Sequence, residues 1–210
     1  TIPRGEIASI IYEACEGIET RFGTSVVGVS QQSNGVDVSL SDGATESFDL
    51  LVGADGLHSK VRETVFGPHS KFEKNLGYNV DAFYLPNYQP HEPNAYVSHT
   101  VPKRQVARMS LRDDQTLFLF IWRSELLDKF PETEAQEKST LRKVFGDMDW
   151  EVPAILERME EVEDIYFDTV SQVHMNSWAK DRVAMVGDAA ACVSLLAGEG
   201  VGLAMVESYV

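Results

Sequence analysis

Two stretches of the chain carry residue types that could hold a flat, hydroxyl-bearing or phosphorylated ligand. The first is Gly53-Ala54-Asp55-Gly56-Leu57-His58-Ser59-Lys60-Val61-Arg62. The second is Gly187-Asp188-Ala189-Ala190, continued by Leu195-Leu196-Ala197-Gly198-Glu199-Gly200-Val201-Gly202. Each sets an aspartate behind an apolar run and ahead of backbone that must bend sharply. A carboxylate there can accept hydrogen bonds from ribose or ribityl hydroxyls. Glycines let the backbone approach a ring or a pyrophosphate, and the free N–H groups that open a helix favour negative charge. The architectural alternative is that the glycines only shape strand-to-helix turns and the aspartates cap helices. Two such turns, far apart in the chain with a different kind of segment between them, favour ligand binding.

The elements that must position these turns are legible in the periodicity. Residues 48–53 end in a continuous apolar run, the pattern of a strand buried on both faces of a parallel sheet. A turn and a helix over about 59–66 follow, stopped by Gly67-Pro68. Residues 182–188 read as a second buried parallel strand. Open α/β sheets bind ligands at the carboxyl edge of such strands. Upstream, residues 5–18 read as an amphipathic helix. Residues 25–32 and 36–40 read as two strands joined at Asn34-Gly35, with a further turn at Asp42-Gly43. From about residue 70 the pattern changes. Pro86, Pro90, Pro93 and Pro102 punctuate strand-like runs at 78–85, 96–101, 105–111 and 117–122, with a hairpin turn expected at Asp113-Asp114. A helix over about 132–145, acidic early, basic late and ended by Gly146, suits the helix dipole. A second begins near Pro153, and a strand over 165–175 leads back to the second turn. Three segments are therefore expected: 1–69, 70–176 and 177–210. The fold class is α/β, with an α+β middle built on an antiparallel sheet.

Composition narrows the function. With 18 Lys+Arg against 33 Asp+Glu, the formal charge is −15, and a surface that acidic repels phosphate backbones, so nucleic acid is a poor partner. No apolar run is long enough to span a membrane as a helix. Cys15 and Cys192 are too few and too distant for a disulfide framework, which suits a reducing, cytoplasmic location. The five histidines show no metal-ligand spacing. The chain opens on Thr1 and closes on an apolar stretch with no helix-stopping residue, so a piece of a longer protein is expected.

The two turns resemble fingerprints of the FAD-dependent aromatic hydroxylases, the single-component flavoprotein monooxygenases that include para-hydroxybenzoate hydroxylase. That family carries G-A-D-G-x-x-S-x-V-R, matched by Gly53, Ala54, Asp55, Gly56, Ser59, Val61 and Arg62, and a Gly-Asp motif, matched by Gly187, Asp188, Ala189 and Ala190. The likeness extends over essentially the whole chain, starting with Arg4 at the entry of the first helix. It implies an FAD-binding doubly wound domain interrupted by a substrate domain with an antiparallel sheet. By the same resemblance Asp188 binds the ribityl or pyrophosphate region of FAD, with Arg4 reaching the same cofactor. Asp55, Gly56 and Arg62 serve a turn used for both FAD and NAD(P)H. Gly187, Ala189, Leu195, Gly198, Gly200, Val201 and Gly202 complete the cofactor-binding set, with the 198–202 loop against the pyrimidine side of the isoalloxazine. The implied reaction is hydride transfer from NAD(P)H to FAD, formation of a flavin C4a-hydroperoxide with O2, and hydroxylation of an aromatic small molecule held by the antiparallel sheet. The alternatives are a flavin-dependent oxidoreductase without oxygen insertion and a non-catalytic remnant serving as a binding module.

Two departures from the family pattern stand out. The G-x-G-x-x-G that clasps the ADP half of FAD does not occur in this sequence, so weak or absent FAD binding by this chain alone is expected. Where the Gly-Asp motif commonly continues with His and prolines, the chain has Ala191, Cys192, Ser194 and Leu195. Cys192 reads as a small buried hydrophobe. Tyr84, Phe118, Phe120 and Trp122 read first as core and only secondarily as a lining for an aromatic substrate.

Overall fold

The computed structural model describes residues 4–90, 92 and 95–209, and side chains from Gly5 onward. In chain order the elements are α1 (Arg4–Ala14), β1 (Val26–Gln31), β2 (Val36–Leu40), β3 (Thr45–Phe48), β4 (Leu51–Gly53), α2 (Lys60–Phe66), β5 (Glu73–Pro86), β6 (Tyr96–Val101), β7 (Arg104–Ser110) and β8 (Gln115–Arg123). They continue with α3 (Glu134–Phe145), α4 (Val152–Arg158), β9 (Tyr166–Val173), β10 (Ala179–Lys180), β11 (Val183–Met185), α5 (Asp188–Ala191) and α6 (Gly200–Tyr209). The chain divides into two compact units. One comprises Thr1–Gly17 and Gly77–Thr169, the other Ile18–Leu76 and Val170–Val210. Helix α1 thus groups with the middle of the chain.

The first unit is built on a five-stranded sheet of order β6-β7-β8-β5-β9, in which β6/β7, β7/β8 and β8/β5 pair antiparallel. Asp113 and Asp114 both take left-handed backbone (φ 56 and 53) in the tight β7–β8 turn; aspartate tolerates that region better than most residues. Strand β8 shows why the sheet is two-faced. Thr116, Phe118, Phe120 and Trp122 are buried, while Leu117, Leu119 and Ile121 between them are only partly so. Register places Phe83 opposite Phe118 and Val106 opposite Phe120, and α3 and α4 cover this face with Leu141, Phe145, Ile155 and others. Phe118, Phe120 and Trp122 are therefore core. Tyr84 has the opposite phase. It lies on the opposite face in one cross-strand row with Leu117, Met109 and Tyr96, and both tyrosines are more than half exposed. The alternation thus separates four aromatics that the sequence groups together.

That covered face also holds polar groups. Asn79, Asp81 and Arg108 share the inward phase of the phenylalanines and are fully buried. The Trp122 indole N–H donates to Asp81 at 2.7 Å. Arg108 donates from Nε and Nη2 to the Glu151 carboxylate at 3.0–3.1 Å, and Tyr88 donates its hydroxyl to the same carboxylate at 2.8 Å. Arg108 also donates to the Glu92 carboxylate and carbonyl. Helix α3 starts at a Thr133 cap and ends at Gly146, as its sequence requires.

The second unit contains the antiparallel meander β1-β2-β3 and a sheet of order β10-β11-β4. One expectation needs correction here. Residues 48–53 are not one strand: Phe48 ends β3 of the meander, and β4 begins at Leu51 in the other sheet. Nor is β4 buried on both faces, since Leu50 is 68% and Val52 57% exposed. An apolar run reports affinity for a buried surface, and here only the Gly53 side of the strand meets one, packing on Met185 and Val61. The parallel pairing itself is present: β11 runs parallel to β4 with Val183, Ala184 and Met185 opposite Leu51, Val52 and Gly53. Among the described residues no helix is long and apolar enough to cross a membrane.

Candidate functional site

Because β4 and β11 are adjacent and parallel, both end at the same edge of the sheet, and the two aspartate-bearing bends emerge side by side. The ladder is one residue longer than the strands, with the Val186 N–H donating to the Gly53 carbonyl at 3.0 Å. Each bend then turns into a helix, α2 after the first and α5 after the second.

The two aspartates do different work. Asp55 is exposed, and its carboxylate accepts hydrogen bonds from the Ser59 hydroxyl and from the backbone N–H groups of Lys60 (2.8 Å) and Val61 (3.1 Å). Ser59, fully buried, in turn accepts from the Arg62 N–H at 2.9 Å. Together they satisfy the free N–H groups that open α2, which is the capping role the sequence left open. Gly56, at φ +77 with open space where a Cβ would stand, makes the bend.

Asp188 is the first residue of α5, and the cap position before it is Gly187, which has no side chain to cap with. Gly187 sits at φ 60 and ψ −148, and a Cβ there would meet the Ala204 Cβ at 3.2 Å. Only glycine suits both the conformation and the approach of α6. The Asp188 carboxylate, partly exposed, faces the start of α6, with a notional Gly200 Cβ 3.6 Å from its Oδ1. It also lies against Cys192, whose buried thiol is pushed up in pKa by burial and then by the Asp188 charge. Such a thiol is a poor nucleophile, and its sulfur lies 3.8 Å from the Ser171 carbonyl.

Leu195 is half exposed in a single helical turn that ends at Gly198, itself left-handed at φ 68. Gly200, Val201 and Gly202 form the first turn of α6. Val201 and Gly202 are exposed, and the first intrahelical bond of α6 runs from the Leu203 N–H to the Glu199 carbonyl. The N–H groups ahead of Leu203 therefore have no helical acceptor. Ala189 is fully buried and presents its carbonyl to Arg62.

Arg62 is wholly buried. Its Nη1 donates to the Ala189 carbonyl of the second bend at 3.0 Å, and its Nη2 to the Leu57 carbonyl of the first at 2.6 Å. Nη2 also lies 3.1 Å from His69 Nδ1; the guanidinium has only donors, so that ring nitrogen accepts. Burial lowers the Arg62 pKa from its ordinary value. Arg4 opens α1, and its side chain lies outside the described ones. The second unit thus brings together Asp55, Gly56, Arg62, Gly187, Asp188, Ala189, Gly200 and Ala204. Sequence reasoning did not find the last, whose close approach to Gly187 needs the structure.

These residues fit the ring-proximal part of a flavin nucleotide. A partly exposed carboxylate suits ribityl hydroxyls. Glycine backbone with open space above it suits a flat ring, and unused helix N–H groups suit the ring's electron-rich edge.

Comparison with known proteins identifies the family. A flavin-dependent monooxygenase of Legionella longbeachae serogroup 1 (strain NSW150) is 34% identical over 218 residues, covering 100% of this chain and 54% of that protein. The crystal structure of tetracycline destructase Tet(51) superposes with a TM-score of 0.83 at 36% identity, over 99% of this chain and 56% of its own. Tetracycline destructase Tet(55) gives 0.87 at 32%, over 98% and 55%. The chain spans about half the length of these relatives. The family model described as the FAD binding domain matches residues 1–210, and the chain belongs to that FAD-binding domain family.

Proposed function

We propose that this chain supplies the ring-facing part of the flavin site in an FAD-dependent monooxygenase acting on an aromatic small molecule. The observation that carries this reading is the pairing of the two bends at one sheet edge, with the carboxylate of Asp188 left over from capping and set beside the glycine-rich start of α6. Bound there, FAD supplies hydride acceptance from NAD(P)H and activation of O2.

The roles of the chain's own residues are those the family resemblance implies, and their placement supports them. Asp188 accepts hydrogen bonds from the ribityl or pyrophosphate region. The backbone of 198–202 lies against the pyrimidine side of the ring, where the opening N–H groups of α6 stabilise negative charge. Leu195 and Val201, both exposed, keep water from that face. Asp55 shapes its bend by capping α2, which leaves the Gly56 backbone open to FAD or NAD(P)H. The face of the five-stranded sheet that carries Tyr84, Leu117, Met109 and Tyr96 in one row offers an aromatic substrate a largely apolar surface with two hydroxyls at its ends. The identity shared with Tet(51) makes tetracycline one substrate to set beside single-ring phenols.

Fluorescence titration with FAD tests the flavin assignment. Asp188→Ala is expected to weaken FAD binding about thirtyfold, the loss of a hydrogen bond to a charged acceptor. Unchanged affinity contradicts the assignment. NAD(P)H oxidation coupled to a hydroxylated product supports oxygen insertion. Oxidation coupled only to peroxide or to a reduced substrate favours an oxidoreductase of the second kind.

A further inference from the structure

We propose that Arg62 is a positioning residue: its buried guanidinium braces the two bends together and so sets the place of Asp188, without itself touching the cofactor. This rests on the flavin-site reading above and deepens it. The ladder between β4 and β11 covers three residue pairs with one further hydrogen bond at each end, a short join for two helix-bearing bends. Arg62 adds a second tie. One arm of its fork holds the Leu57 carbonyl in the first bend, and the other holds the Ala189 carbonyl, one residue beyond Asp188.

The tie suits its place chemically. Helix α5 is four residues long, so its carbonyls find no partner further along a helix, and a cation at that end complements the helix dipole. A guanidinium reaches two diverging carbonyls at once, whereas an ammonium is a single point of donation. No guanidinium surface is left for a ligand, since Arg62 is 0% exposed and its Nη2 is also shared with His69.

The test uses Arg62→Met, Arg62→Lys and Asp188→Ala in two measurements. In flavin-free protein, amide exchange at 189–193 is expected to quicken about tenfold in Arg62→Met, the effect of a buried carbonyl losing its donor. Arg62→Lys, with one donor centre, is expected to fall between. In FAD titrations, Arg62→Met is expected to weaken binding about tenfold when Asp188 is present and not measurably when it is Ala, the non-additivity of residues acting through one another. Equal weakening in both backgrounds, or exchange at 189–193 unchanged in both Arg62 variants, overturns the brace. If Arg62→Met does not fold, Arg62→Lys carries both arms with smaller expected changes. If the chain alone binds FAD too weakly to titrate, as the missing G-x-G-x-x-G leads one to expect, the FAD arm is run on the full-length protein, where no affinity sinks the flavin-site reading by itself, and the exchange measurement in flavin-free protein still decides the brace.

Discussion

Replacing Glu151 by Ala is expected to destabilise the chain by about 3–5 kcal/mol, the cost of breaking a buried ion pair by removing one partner. Arg108 is 0% and Glu151 7% exposed. The pair is joined by three hydrogen bonds of 3.0–3.1 Å, and Tyr88 adds a fourth to the same carboxylate. Without Glu151, the Arg108 charge keeps, among the described residues, Glu92, whose side chain is 60% exposed, and the face of the Trp150 ring at 5.7 Å. The Tyr88 hydroxyl loses its acceptor as well. In the wild type, burial first and the Glu151 carboxylate second raise the Tyr88 pKa, so the phenol keeps its proton and donates throughout the neutral range. Denaturant unfolding measures the effect. Glu151→Gln, which retains shape and one acceptor, is expected to cost less. An Arg108→Met/Glu151→Leu double variant is expected to recover most of the loss, because replacing both ions removes the uncompensated charge. A cost below about 1 kcal/mol for Glu151→Ala would show that water reaches Arg108.

The second large effect depends on pH. Asp81 is 1% exposed, and burial pushes its carboxyl pKa up to about 7, against the lowering effect of the Trp122 hydrogen bond, with the Glu137 charge raising it further. Its folded pKa is above its unfolded one, so the folded chain keeps a proton that the unfolded chain releases. The stability Asp81 contributes is complete below about pH 4 and is lost as pH climbs to about 7, amounting to about 4 kcal/mol in all. Asp81→Asn cannot titrate, and its amide oxygen can still accept from the Trp122 indole. Unfolding at pH 5 and pH 8 is expected to show wild type losing about 3 kcal/mol more than Asp81→Asn over that interval. Parallel losses in the two proteins would mean that Asp81 is ionised throughout.

Much of this architecture was legible before the structure, for physical reasons. The two-residue period of β8 fixes its inward and outward faces, Asp113-Asp114 accepts left-handed backbone, and Gly187 and Gly56 stand where only glycine bends without strain. The polar residues of the first unit were legible in principle and missed. Phe83 and Leu85 set the inward phase of β5, and that phase places Asn79 and Asp81 inside; Val106 does the same for Arg108. The break between β3 and β4 was hard to read, because only Asp49 interrupts the apolar character of 48–53 and one polar residue does not say that Phe48 and Leu51 pair with different sheets. Nor was the brace. Arg62 and Ala189 are 127 residues apart, and an arginine facing a phosphate is indistinguishable in sequence from one facing carbonyls. The separation of Asp55, spent on capping a helix, from Asp188, which caps none and lies against the Cys192 thiol, likewise needed coordinates, since both follow an apolar strand and precede a helix.

Everything proposed about function turns on two bends, brought side by side by β4 and β11, meeting one flavin. Amide hydrogen exchange of the protein with and without FAD tests this most directly, because it reads both bends in one experiment. The account predicts that FAD slows exchange at 55–58 and at 187–202 together, over the same concentration range, while the covered face of the five-stranded sheet is unchanged. With the site shown by titration to be occupied, protection at neither bend, or at one of them alone, would contradict it.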